Sequence, residues 1–170
     1  SQIAGFASNL NASSSYNYVF ENCASYGTLS VESKYVLAYC GGFGAYANKD
    51  QSGWTDWVGE LLSEESNFIN CVAVADVTSV APKKSYAGKF LAKNSEYVTI
   101  SDNNAVASQS IALGTNINNT ADEVDKANLE SSEYLAQNYA FDFACSWYLS
   151  PYTNQLFPRV LLKAQGSPTS

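Results

Sequence analysis

The chain contains no histidine and no methionine, and among its 170 residues only four are proline and nine are basic. Nowhere do eighteen apolar residues run together. Each shortage excludes something. Histidine is the one side chain whose ordinary pKa lies near neutrality, so its absence removes the usual general base and metal ligand. Ser-His-Asp and Cys-His hydrolases, HExxH zinc proteases and His-ligated copper or haem sites are therefore ruled out. Without a long apolar run no helix can span a bilayer. Nine basic residues stand against sixteen acidic ones, a net charge of −7, and no basic cluster exceeds Lys83-Lys84. Nucleic acid and anionic membrane surfaces both need several cations on one face, so neither is an expected partner.

Four cysteines are present, Cys23, Cys40, Cys71 and Cys145. Their spacing contains no CxxC or CxxxC pair, which excludes a zinc knuckle and a thioredoxin-like motif and points to two structural disulfides. If helices flank a turn near Thr28, Cys23 lies about 7 Å from it and Cys40 about 18 Å. That exceeds the roughly 7 Å reach of a disulfide. Pairings that join Cys40 to Cys71 or to Cys145 are then favoured over Cys23–Cys40. Two sequons, at Asn11 and Asn118, agree with secretion and glycosylation. The opening residues, SQIAGFASNL, read as a processed N-terminus.

The length suits one globular domain, residues 1–166, with 167–170 as a flexible tail. Local patterns divide the chain. Tyr16, Val19, Phe20 and Cys23 recur at helical spacing up to Gly27, as do Tyr35, Val36, Tyr39 and Cys40 up to the Gly41-Gly42-Phe43-Gly44 cluster. Residues 53–65 form an amphipathic helix with Trp54, Trp57, Val58, Leu61 and Leu62 on one stripe. From Phe68 to Val80 the composition turns β-branched, and two further short runs follow. Thr120-Ala121-Asp122-Glu123 has the form of a capping box opening a long helix that stops near Pro151, and Val160-Leu161-Leu162 suits a closing strand. The expected class is α+β: helices in the N-terminal third and at 121–149, packed on a small antiparallel sheet from about 68–117, with a mainly α fold as the alternative.

Carboxylates are the catalytic resource that remains. Glycoside hydrolysis needs only two acids, and Asp142, between Phe141 and Phe143, is the candidate whose pKa burial would raise. The oxygen-rich stretches Asp102-Asn103-Asn104 and Asp122–Asp125 lack the spacing of a calcium loop, so no metal and no cofactor are expected. Aromatic residues make up 14% of the chain, led by twelve tyrosines, against 15% charged. Tyrosine is favoured where proteins meet partners because its ring buries area while its hydroxyl stays bonded. The expectation is a non-catalytic secreted protein that acts by surface binding, adhesion or self-assembly. Its partner would be a protein, a glycan or a second copy, met through Tyr16 and Tyr18 or through Tyr148 and Tyr152. A carboxylate glycosidase is the alternative, and a secreted toxin or effector the third.

Overall fold

The structure is a computed structural model and describes residues 1–12, 18–49, 67–95, 98, 100 and 103–159. Of these, 50% are strand and only 9% helix. The strands run β1 (Gln2–Ala4), β2 (Ala7–Ala12), β3 (Phe20–Glu21), β4 (Ala24–Glu32), β5 (Leu37–Gly41), β6 (Gly44–Lys49), β7 (Phe68–Ile69) and β8 (Val72–Val80). They continue with β9 (Lys84–Gly88), β10 (Leu91–Asn94), β11 (Ala105–Ala107), β12 (Ala112–Leu113), β13 (Asn116–Ile117) and β14 (Asp122–Val124). Helices α1 (Lys126–Leu129) and α2 (Ser132–Tyr139) and a hairpin of β15 (Trp147–Leu149) and β16 (Leu156–Pro158) complete them.

All pairings among β1 to β14 are parallel and in register. The first sheet stacks β1-β5-β9-β13, the second β2-β6-β10, the third β3-β7, and the longest joins β4, β8, β11 and β14, with β12 on β8. Successive turns of the chain visit these sheets in the same order, which is the architecture of a β-solenoid. Gln2 pairs with Tyr39, Tyr39 with Tyr86 and Tyr86 with Asn116, so successive coils take 37, 47 and 30 residues.

Two corners define each coil. At the first, Phe6, Phe43 and Phe90 point inward and stack, with ring centroids 4.7 and 5.0 Å apart. Backbone bonds continue around this bend, Phe43 N–H donating to the Phe90 carbonyl at 2.8 Å and Phe6 N–H to the Phe43 carbonyl at 3.0 Å. Glycine is required there, because a Cβ on Gly41 or Gly88 would collide with the carbonyl three residues on, that of Gly44 or Leu91. At the second corner Asn22 and Asn70 adopt φ of 50° and 53°, the left-handed region that asparagine tolerates better than most residues. On the third coil Asn104 replaces that device: its amide accepts from Cys71 N–H and donates to the Phe68 carbonyl, both at 2.9 Å.

Between the corners the side chains alternate. Along β8, Ala73, Ala75, Val77 and Ser79 are buried in the solenoid, while Asp76 and Val80 are exposed outside. The interior holds Leu10, Phe43, Phe68, Phe90, Leu91 and Val106 towards one end of the section and Val31, Ala38, Cys40, Val77 and Ala87 towards the other. The outer face of the longest sheet is covered by the C-terminal elements: Leu129, Leu135, Tyr139, Phe141 and Leu156 pack on Val72, Ala105 and Ala107. Alanines at 105 and 107 let the helices approach closely. The Leu156 N–H, donating to the Tyr26 hydroxyl at 3.1 Å, fastens the hairpin to β4.

The α+β expectation with an antiparallel sheet is thus overturned, and so is its mainly α alternative. The N-terminal third is β4, β5 and β6 rather than helix. Phe20 and Cys23 share a face because they flank an asparagine corner, which imitates helical spacing. Gly27 lies within β4 at φ 147°, not at a helix end. The 68–80 segment is strand but parallel on both sides, since alternation carries no information about direction. The 121–149 helix is two short helices and a turn. Residues 122–124 are strand β14, and the cap is Asp125, whose carboxylate accepts from Ala127 N–H at 2.8 Å. Ser131 caps α2, which ends at Ala140 in a left-handed conformation. The helix expected at 53–65, the strand expected at 160–162 and the tail 167–170 lie outside the described residues. Among the described residues no helix is long and apolar enough to cross a membrane.

Candidate binding site

In-register stacking turns sequence columns into surface columns. On the outer face of the first sheet one column reads Gln2, Tyr39, Tyr86, Asn116, and on the second sheet the neighbouring column reads Asn9, Tyr46, Lys93. Tyr39 and Tyr86 stack at 5.0 Å with planes 10° apart, and Tyr46 lies across the corner, 5.9 Å from Tyr39. The Lys93 ammonium sits 5.6 Å from the Tyr46 ring centre and 5.3 Å from that of Tyr86, where the negative ring faces attract a cation. Among the described residues Lys93 has no carboxylate partner; the two salt bridges present are Lys89–Glu123 and Lys126–Glu130.

The tyrosine stack stops at Tyr86. Asn116 follows it in the column, and the second sheet has no strand beyond β10 among the described residues. The notch so formed encloses about 220 Å³ and is bordered by Tyr86, Lys93, Asn94, Asn116, Ile117 and Asn118. Asn118 donates to the Asn94 amide oxygen at 3.0 Å, and Asn116 donates to the Ser85 carbonyl at 3.2 Å, so the amides are held in place by the solenoid itself. An aromatic face, a cation with no carboxylate partner among the described residues and several fixed amides together form a polar, ring-sized recess. Among the described residues no nucleophile or acid borders it.

A second recess lies between the longest sheet and the C-terminal elements. It encloses about 280 Å³ and carries Tyr26, Thr28, Asp76, Lys126 and Glu130. Both carboxylates have partners in the chain: Asp76 accepts from Ile111 N–H at 2.8 Å, and Glu130 lies 3.5 Å from Lys126. Tyr26 is pushed up to about 12 by burial.

The residues singled out from the sequence are scattered. Tyr16 lies outside the described residues. Tyr18 is half-buried, its ring beside Phe20 and Phe68 at 5.7 and 6.0 Å, and burial raises its pKa. It serves the interior rather than the surface. Tyr148 stacks on Phe157 at 5.6 Å on the hairpin, and Tyr152 is 95% exposed at the hairpin turn. Asp142 is not desolvated. It is exposed and accepts from Ala144 and Cys145 N–H at 2.8 and 3.1 Å, capping the turn before β15. Asn11 lies in β2, paired with Asn48. Asn118 borders the notch, and a glycan attached there would displace its bond to Asn94. The four thiols are free in the structure: Cys40 and Cys71 buried, Cys23 half-buried and Cys145 exposed.

Tyr39, Tyr46, Tyr86 and Lys93 escaped the sequence reading, though a signal for them exists. Tyr39-Cys40-Gly41-Gly42-Phe43 and Tyr86-Ala87-Gly88-Lys89-Phe90 are the same corner on two coils, and Gln2-Ile3-Ala4-Gly5-Phe6 is its counterpart on the first. Compared with families of known proteins, with curated proteins and with solved structures, the chain shows no match.

Proposed function

We propose that this is a non-catalytic extracellular binding module that captures an acidic glycan in the notch beside Tyr86. The observation that carries the reading is the end of the tyrosine stack, where a ring face is bordered by Lys93 and by asparagine amides. A pyranose lies flat on an aromatic ring, its hydroxyls suit amides that both donate and accept, and a ligand carboxylate supplies a counter-ion for Lys93, which has no carboxylate partner among the described residues. Such capture needs no histidine and no cofactor. The rigid, repetitive scaffold holds the columns in place before any ligand arrives, which lowers the ordering cost of binding.

The test is a glycan array carrying neutral and carboxylate-bearing oligosaccharides, probed with the parent protein and with Tyr86→Ala. Retention of acidic glycans by the parent alone supports the reading. Release of reducing ends from a polysaccharide, abolished by Asp76→Asn or Glu130→Gln, would instead support a glycosidase working in the second recess.

A further inference from the structure

Cys23 and Cys71 occupy one position on adjacent coils. Each follows an asparagine in the left-handed region, and each directly precedes the register pair Ala24–Val72. The ladder between them is closed by Val72 N–H donating to the Cys23 carbonyl at 2.9 Å. Paired parallel strands lie about 4.8 Å apart, within the roughly 4.4 to 6.8 Å spanned by the Cα atoms of a disulfide. The two thiols influence each other's ionisation, and Cys23 Sγ donates to the Glu21 carbonyl at 3.3 Å. The third coil has Asn104 at this position, so the sulfur column consists of these two residues.

The partners are unequal. Cys23 is half-buried, whereas Cys71 is fully enclosed, its Sγ directed at the carbonyls of Phe20 and Ile69 at 3.4 Å. The neighbouring Cys71 thiol holds the Cys23 thiol below its usual range, while Cys23 in turn and burial push Cys71 up. Cys40, in the other interior cluster, and Cys145, exposed after α2, stand apart from this pair.

We propose that Cys23 and Cys71 form a dithiol site whose substrate is a small-molecule disulfide and whose product is a bridge locking the first coil to the second. The Cys23 thiolate attacks one sulfur of the reagent, forming a mixed disulfide and expelling one thiolate, which takes up the proton Cys23 has lost. Cys71 then loses its proton and attacks Cys23 Sγ, closing the Cys23–Cys71 bond and expelling the second thiol. Two protein thiols are oxidised and one disulfide is reduced to two thiols. Exposure suits Cys23 to the first step, and contact suits Cys71 to the second.

The experiment treats the native protein, carrying Cys145→Ser to remove the exposed thiol, with excess oxidised glutathione, then maps the peptides without reduction. The expected result is a Cys23–Cys71 linked pair with Cys40 still a free thiol, and a melting temperature raised by about 8 °C, since the bridge closes a long loop. Cys71→Ser in the same background should stop at a glutathionyl group on Cys23. Persistence of that adduct when Cys71 is present, both residues remaining alkylatable, or a bridge to Cys40 would each overturn the proposal. This outcome is independent of whether the notch binds a glycan.

Discussion

Phe43 and Phe90 stack inside the solenoid at 5.0 Å, and the same two residues exchange the backbone bond that carries the ladder around the first corner. Side-chain stacking and backbone pairing therefore fix the same register. Phe43 is the middle member of its column and also meets Phe20 and Phe68 edge-on. Its neighbour Phe6 ends the column and is 48% exposed.

Phe43→Ala should therefore cost about 4 kcal/mol of stability, and Phe6→Ala about a third as much. Denaturant unfolding followed by circular dichroism measures both, and equal losses would contradict the stacked column.

The second corner makes a different prediction. Asn70 holds φ 53°, a conformation that costs an ordinary L residue about 1 kcal/mol and glycine nothing. Asn70→Ala should lower stability by about that amount while Asn70→Gly leaves it nearly unchanged. Thermal melts of the two variants check the order.

Alkaline pH should loosen the protein. Tyr26 and Tyr139 are both pushed up to about 12, by burial first. A raised folded pKa means that the neutral hydroxyl is the form the fold favours, so this contribution is complete below the unfolded value of about 10 and is lost as pH climbs through 12. Unfolding free energy should fall between about pH 10 and 12, by as much as about 1.4 kcal/mol per pH unit for each tyrosine. Tyr26→Phe, which also removes the acceptor for Leu156 N–H, should flatten the slope and cost about 1 kcal/mol at neutral pH. Urea titrations at several pH values supply the curve.

Parts of this architecture were legible in the sequence. The β-branched run around Val72–Val80 reads as strand and is one. The repeat was hidden because equivalent residues return after 37, 47 and 30 positions, with insertions of unequal length between strands. Corners deceived the periodicity: Phe20 and Cys23 look helical because an asparagine bend brings them to one side. Strand direction was unreadable, since inward–outward alternation is the same in parallel and antiparallel sheets. The notch was invisible for a related reason, as Tyr86, Lys93 and Asn116 belong to three different strands and meet only once the register is known.

The most direct test of the binding account is calorimetric titration with a hexuronic-acid oligosaccharide and with its neutral hexose counterpart. The parent should bind the acidic sugar more tightly, and added salt should weaken it. Lys93→Gln should lose about tenfold or more in affinity for the acidic sugar and little for the neutral one, Tyr86→Ala should lose about tenfold for both, and Tyr148→Ala and Tyr152→Ala should match the parent. Undiminished binding by Lys93→Gln and Tyr86→Ala, with loss confined to Tyr148→Ala or Tyr152→Ala, would contradict the account and move the binding surface to the hairpin.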